Sequence, residues 1–455
     1  MKVKNKQTRT KSPRFSRQGS KSLFTARLPA SLNKTIAVIG MGYVGLPLAL
    51  LASKKGYKVI GIDINTKKVN LINEGLSPFA NREIEKELKL TDLGATTDFS
   101  KIKSASIVIV CVPTPVHKNR LPDYTPIKSA CKSIAPFISK GKLIILESTV
   151  NPGVCEEIVL PILEKGSGLV PGRDFYLAHC PERINPGDKK WNVANIARVV
   201  GGFNQISLTK ALRFYRFLIN APIKPMGSLK EAEAVKIVEN SFRNVNMAFV
   251  NELAQSFSML GIDVDNVLEG AATKPFGFMR FYPSRGIGGH CIPVDPYYLI
   301  DYAKKNGYKH EFLSLACKIN EEMPSYTVDQ VIAGLKEKNL PIQGTKVAVL
   351  GLTYKAGIDD CRESPAFEIV RELKQRKTKV TTFDPYVNGE SDTKSLKEAL
   401  VGAKAIVVAT DHPEFKKLNP RKLHKLGIKV VVDGMNCLPK EKFTQNGFFY
   451  RGIGR

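Results

Sequence analysis

The sequence predicts an α/β protein in which two doubly wound parallel-sheet domains are joined by a central helical domain with one long helix. Three observations predict this. A glycine-rich strand-turn-helix pattern follows residue 35, the same order of strands and glycine turns returns after residue 345, and a long stretch of helical periodicity, residues 229–262, lies between them. The expected boundaries are a basic disordered arm over 1–34, a first nucleotide-binding domain over 35–222, the helical domain over 223–325 and a second sheet domain over 326–455.

Composition sets the outer bounds. With 455 residues, 43% hydrophobic and 24% charged, the chain can build two or three cored domains, which excludes disorder throughout. The 8 cysteines (111, 131, 155, 180, 291, 317, 361, 437) are scattered, mostly in apolar runs, as expected of reduced thiols in a cytoplasmic protein. Neither they nor the 6 histidines show metal-ligand spacing, so no metal is expected. Residues 1–34 hold ten Lys/Arg and no acid, leaving +17 of the formal +27 to the remainder. That arm suits a solvated disordered segment, and also a transit peptide or a nucleic-acid-binding extension. The remaining surplus suits anionic ligands and exceeds what two nucleotides require.

The first element, IAVIGMGYVGLPLALLA (36–52), follows basic residues and so resembles a signal peptide's apolar core. Gly40, Gly42, Gly45 and Pro47 break it, and it is short for a span of about 20 residues, so no membrane crossing is expected. A buried strand, a glycine turn and a helix explain it better. Gly40-x-Gly42-x-x-Gly45 provides a tight turn, close approach to a pyrophosphate and close helix packing. KVIGID then supplies a second strand ending at Asp63, whose carboxylate accepts from ribose hydroxyls and repels a 2′-phosphate; the expected cofactor is NAD rather than NADP.

SIVIVCVPTP (106–115) and KLIILEST (142–149) continue the α/β rhythm and put Thr114, Glu147 and Thr149 at strand carboxyl ends, where open parallel sheets gather ligands. In 229–262 the apolar residues Val235, Val238, Phe242, Val245 and Phe249 recur at helical spacing, the pattern of a helix packed along much of its length. Lys236, Asn240, Arg243 and Asn244 form another stripe, either a solvated face or substrate-facing groups. GIGGHCIPVDPYYL (286–299) presents Cys291 behind glycines that offer little apolar packing to an inert thiol. TKVAVLGLTYK, VTTFDPY, AKAIVVATDH and KVVVDGMN repeat the first half's order in a second Rossmann-like unit without GxGxxG, so a second dinucleotide is not expected there.

Seven motifs in order, GMGYVGLPLA, CVPTP, ESTVNPG, CPERINPG, AEAVKIVENSFR, GIGGHCIPVDPYYL and GLTYKAGIDDCRESPA, resemble the UDP-glucose/GDP-mannose dehydrogenase family from about residue 35 to 455. Within it they are most similar to the UDP-N-acetylhexosamine 6-dehydrogenases. The resemblance implies four-electron oxidation of a sugar-nucleotide CH₂OH to a carboxylate with NAD, and a UDP-sugar-binding role for 326–455. It implies Cys291 as the nucleophile that holds the aldehyde as a thiohemiacetal and then a thioester. Lys236 and Asn240 would stabilise oxyanions, Asp295 and Thr114 would hold a water near the C6 hydroxyl, and Glu182 would serve thioester hydrolysis. Gly40, Gly42, Tyr43, Val44, Gly45, Asp63, Lys68, Thr114, Thr149 and Arg362 are the implied cofactor contacts. Glu182, Arg183, Lys236, Asn240, Arg243, Gly289, His290 and Lys355 are the implied substrate contacts.

His290, Ile292 and the EST strand ending depart from the pattern of many UDP-glucose dehydrogenases and point to a 2-acetamido sugar, UDP-GlcNAc or UDP-ManNAc. The alternatives are a UDP-glucose 6-dehydrogenase and a two-electron β-hydroxyacid dehydrogenase, which would need neither Cys291 nor the second sheet domain. The expected partner is a second copy in a homodimer or higher assembly. Catalysis requires no nucleic acid, and the expected product is a surface-polysaccharide precursor.

Overall fold

A computed structural model describes residues 34–79, 81–117, 121–184 and 190–455; the basic arm, apart from Lys34, and Asn185–Gly187 of the CPERINPG motif lie outside the described residues. The first sheet contains β1 (Thr35–Ile39), β2 (Lys58–Ile62), β3 (Gly94–Thr96), β4 (Ile107–Val110), β5 (Leu143–Leu146), β6 (Tyr176–His179), β7 (Arg198–Gly202) and β8 (Ile223–Pro225). Their order is β3-β2-β1-β4-β5-β6-β7-β8. All neighbours are parallel except β6 and β7. The second sheet contains β9 (Lys346–Leu350), β10 (Lys379–Phe383), β11 (Ala405–Val408), β12 (Val430–Asp433) and β13 (Phe449–Gly452), all parallel in the order β10-β9-β11-β12-β13.

Continuous apolar strands are expected where helices cover both sheet faces. Ile36 and Val38 join one core of the first sheet while Ala37 and Ile39 join the core on its other face. Val347 and Val349 against Ala348 and Leu350 do the same in the second sheet. Each Val, Leu or Ile among them contributes about 1.5–3 kcal/mol on burial. The expected strands form, and five more appear: β3, β6, β7, β8 and β13. β3 and β8 are three-residue segments too short to show a periodicity, while β6 and β7 carry a histidine and an arginine inside otherwise apolar runs.

The long helix spans Leu229–Leu260. Ser228 caps its first turn by accepting from the Glu231 N–H, and Gly261 ends it with φ +71°, a left-handed conformation that glycine adopts without a Cβ penalty. Its expected apolar contact face needs correction within the single chain: Val238, Phe242 and Phe249 are about half exposed. The buried face instead includes Asn240, Ser241, Asn244, Asn251 and three alanines. That face is crossed by non-helical backbone, whose polar groups need partners. Asn244 donates to the carbonyl of Ile292, Asn251 accepts from the Ser284 N–H, and Asn320, on the neighbouring helix Glu311–Glu337, donates to the carbonyl of Asn244. Among the described residues no helix is long and apolar enough to cross a membrane.

Candidate active site

The glycine turn after β1 is built for close approach. Gly40 has φ +89°, and a Cβ on it would lie 2.7 Å from the Cys111 carbonyl oxygen; one on Gly45 would lie 2.0 Å from the Gly40 oxygen. A Cβ on Gly42 would meet no protein atom within 4 Å, so protein packing does not account for a glycine there. The helix Gly45–Lys54 begins with no acidic residue in its first turn and no side-chain cap, which suits an anion at its N-terminus. At the end of β2, Asp63 accepts from the N–H of Met41 and of Asn65, each at 2.9 Å, and Lys68 stands 3.6 Å away. A carboxylate with one backbone donor per oxygen keeps lone pairs for ribose hydroxyls. These residues fit a dinucleotide. Asp63→Ala is expected to weaken NAD⁺ binding on the order of ten- to a hundredfold and to narrow the preference over NADP⁺; unchanged NAD⁺ kinetics would remove Asp63 from the site.

Tyr43, in the same turn, packs against Phe79 with ring centroids 4.3 Å apart and the rings tilted by 30°. It faces a cleft of about 490 Å³ shared with Asp360, Cys361 and Arg362 from the loop after β9. Arg362 is held by a bidentate contact to Asp360. Val44 and Thr149 are partly buried at the first sheet's ligand edge. Tyr43 and Arg362, both expected cofactor contacts and far apart in sequence, therefore line one cleft.

Cys291 sits on the loop before the helix Asp295–Lys305, where its carbonyl accepts from the N–H of Val294 and of Asp295. Asn240 on the long helix donates to the Asp295 carboxylate at 2.5 Å. Tyr298, one turn beyond Asp295, donates its hydroxyl to the Thr114 carbonyl and so ties β4's carboxyl-end loop to the same cluster. Gly289 is held by its N–H donating to the Arg362 carbonyl, and a Cβ there would press on the Tyr354 ring at 2.9 Å. Burial pushes the Cys291 thiol up to about 12, with Asp295 adding to the rise and Lys236, Arg362 and Arg243 opposing it. Burial likewise raises Asp295 to about 7 against the Asn240 hydrogen bond and the Lys236 charge. His290 is exposed at its surface, yet desolvation by the surrounding loops and the charges of Arg362 and Lys236 lower it, which favours the neutral imidazole.

Glu182 belongs to a second buried cluster. One of its carboxylate oxygens accepts from the N–H of Arg183 at 2.6 Å and of Ile184 at 2.8 Å; the other receives Arg198 Nη2 at 2.6 Å. Arg198, on β7 and fully buried, also meets Glu147 at 3.3 Å, and Glu147 accepts the Tyr215 hydroxyl. Burial pushes Glu147 upward against the pull of the guanidinium. Arg183 clamps Glu239 on the long helix, the residue before Asn240, and donates to the Ala197 carbonyl. Arg243 and Lys355 are exposed, the latter on the loop after β9.

Sequence reasoning missed Arg198, Tyr298 and Glu233. The signal available for Arg198 was a lone cation inside the apolar run ARVVGG. Glu233, fully buried on the long helix, accepts from the N–H of Gly153 and of Cys155 and so anchors the loop that follows Thr149. Cys155 and His179 lie beside it, the only potential metal-ligating trio among the described residues, but both Glu233 oxygens already accept backbone donors.

Comparison with known proteins gives matches along most of the chain. Residues 34–219 match the NAD binding domain of the UDP-glucose/GDP-mannose dehydrogenase family, residues 230–322 its central domain and residues 348–440 its UDP binding domain. A UDP-N-acetyl-D-mannosamine dehydrogenase of Pyrococcus horikoshii is 38% identical over 425 residues, covering 92% of this chain and 99% of that relative. A UDP-N-acetyl-D-glucosamine 6-dehydrogenase of Pseudomonas aeruginosa is 37% identical over 398 residues, covering 86% and 94%. The solved structure of the UDP-D-ManNAc dehydrogenase from Pyrococcus horikoshii superposes with a TM-score of 0.87 at 37% identity, covering 92% of this chain and 99% of that one.

Proposed function

The chain belongs to the UDP-glucose/GDP-mannose dehydrogenase family and is an NAD-dependent oxidoreductase of UDP-sugars; from that premise we propose that it oxidises C6 of a UDP-N-acetylhexosamine, UDP-ManNAc or UDP-GlcNAc, to the uronate. The observation that carries the reading is the convergence of the partly buried Cys291 and the Lys236 charge on the buried Asp295–Asn240 pair. A two-electron dehydrogenase needs no thiol in that place. The relatives at 38% and 37% identity support an acetamido sugar.

The glycine turn and Asp63 would hold NAD⁺, and two molecules bound in succession would supply the hydride acceptors for the two oxidations. Asp295, raised to about 7 by burial, takes the C6 hydroxyl proton directly or through a water. Lys236 and the Asn240 amide stabilise the developing oxyanion. Burial keeps Cys291 a thiol, so as sulfur adds to the aldehyde carbon its proton is relayed to the carbonyl oxygen, whose developing charge Lys236 and Asn240 stabilise, and that oxygen becomes the thiohemiacetal hydroxyl. The thiohemiacetal gives up a second hydride, and its hydroxyl proton leaves to solvent, to form a thioester; Glu182 assists the water that releases the carboxylate and restores the thiol. Because Asp295 must be deprotonated, the rate of the first oxidation is expected to fall about tenfold per unit below pH 7, and Asp295→Asn to lose that limb with a rate on the order of 10²-fold lower. An unchanged profile in the variant would assign the limb to another group.

The half-exposed stripe Val238, Phe242 and Phe249, continued by exposed Met259 and Leu260, supports pairing with a second copy across a two-fold axis. Phe242→Glu with Phe249→Glu is expected to shift the protein to monomer in light scattering. A parent that is already monomeric at micromolar concentration, with full activity, would sink this assignment. A reduced nucleophile suits the cytoplasm, and a sugar uronate suits the building of a surface polysaccharide. The substrate is tested by turnover on UDP-ManNAc, UDP-GlcNAc and UDP-glucose; two NADH per sugar are expected on an acetamido substrate, and preference for UDP-glucose would overturn the choice.

A further inference from the structure

Arg285 lies six positions before Cys291 on the glycine-rich loop and is only 2% exposed. Its backbone N–H donates to the Gly434 carbonyl, and a Cβ on Gly434 would meet the Arg285 side chain at 3.1 Å, so the segment lies tightly on the second sheet's strand ends. The guanidinium has poor partners. Nη1 meets the Met435 thioether at 2.9 Å, Nη2 reaches Thr410 Oγ1 at 3.4 Å and the Tyr354 carbonyl at 3.5 Å, and Nε has no hydrogen-bond partner among the described residues. Asp411, whose charge favours the guanidinium, is itself paired with Lys416 at 2.8 Å. A buried cation facing neutral, weak acceptors is costly, and an anion is what relieves it.

Its place in the fold indicates which anion. Tyr354, Thr410 and Met435 follow the carboxyl ends of β9, β11 and β12, and the chain turns one way from β9 to β10 and the other way to β11. That reversal is where open parallel sheets bind nucleotides. The neighbouring ribose-type position is closed: Asp384, at the end of β10, accepts from the N–H of Leu352 and of Thr353 and bonds His412, which stacks on Tyr386. The unrelieved charge is therefore at the β9–β11 crevice.

We propose that Arg285 is a counter-charge for the diphosphate of the sugar nucleotide and, through its place on the Cys291 loop, couples nucleotide binding to the position of the thiol. The proposal rests on the UDP-sugar reading above. Binding exchanges a thioether and two long contacts for phosphate oxygens, and anchors residues 285–291 when the activated sugar is present. A free hexosamine, lacking the diphosphate, leaves the loop without that anchor.

Full-length enzyme is tested with UDP by calorimetry and with uridine by NMR titration, with NAD⁺ binding and melting temperature as folding checks. Arg285→Met is expected to lose at least tenfold in UDP affinity while binding uridine as the parent does, and Arg285→Lys to recover part of the loss. UDP binding by Arg285→Met within twofold of the parent, or equal losses for UDP and uridine, would overturn the proposal. If Arg285→Met does not fold, Arg285→Lys decides: UDP affinity unchanged in a folded enzyme counts against a diphosphate contact, and a loss confined to UDP supports one. A parent that binds neither ligand would instead overturn the nucleotide reading, and the proposal with it.

Discussion

Cys291→Ala is expected to abolish uronate formation, lowering turnover by on the order of 10³-fold or more, while NAD⁺ binding and the fold persist. The thiol sits on a loop between glycines and a helix start, is only partly buried and belongs to none of the main hydrophobic cores, so its removal leaves at most a small cavity. The chemical loss is much larger. Without sulfur the aldehyde has no covalent anchor between oxidations, and a free aldehyde is hydrated or escapes. In the parent, limiting sugar nucleotide with excess NAD⁺ should give two NADH per sugar and no free aldehyde. One NADH per sugar in the parent, or normal turnover by the alanine variant, would favour a two-electron enzyme.

Glu182→Gln should fail at a different step, with thioester hydrolysis slowed by about 10²–10⁴-fold. Glutamine keeps an oxygen for the N–H groups of Arg183 and Ile184 but presents no carboxylate to activate water. The amide NH₂ no longer accepts from Arg198, but Arg198 retains Glu147 as its counter-charge, so the variant is expected to fold with some loss of stability. The two oxidations continue, giving a burst of two NADH per site followed by slow turnover. Intact-protein mass spectrometry should then find the enzyme heavier by one acyl-linked sugar nucleotide. Parent-like turnover with no adduct would take water activation away from Glu182 and leave it as an anchor of its own loop.

The sequence by itself determined the architecture and singled out Cys291 as the proposed nucleophile. Period-two burial collapses into continuous apolar runs when both faces of a sheet are covered, so the strands starting at Thr35, Lys58, Lys346 and Ala405 were legible without any partner. Gly40, Gly42, Gly45 and Asp63 were legible because a local turn fixes their geometry, and Cys291 because glycines give a thiol no packing reason to be there. Only the tertiary structure decided which side chains share a charge environment. Arg198 joins Glu147 and Glu182 across 51 and 16 positions, and Asn240 meets Asp295 across 55; no local pattern encodes such pairings. It also reversed the long helix, whose aromatic stripe faces outward in the single chain while its asparagines are buried. Periodicity reports that a helix has two faces, but which face is covered depends on what packs there, and loop backbone crossing a helix selects side chains that can hydrogen-bond to it.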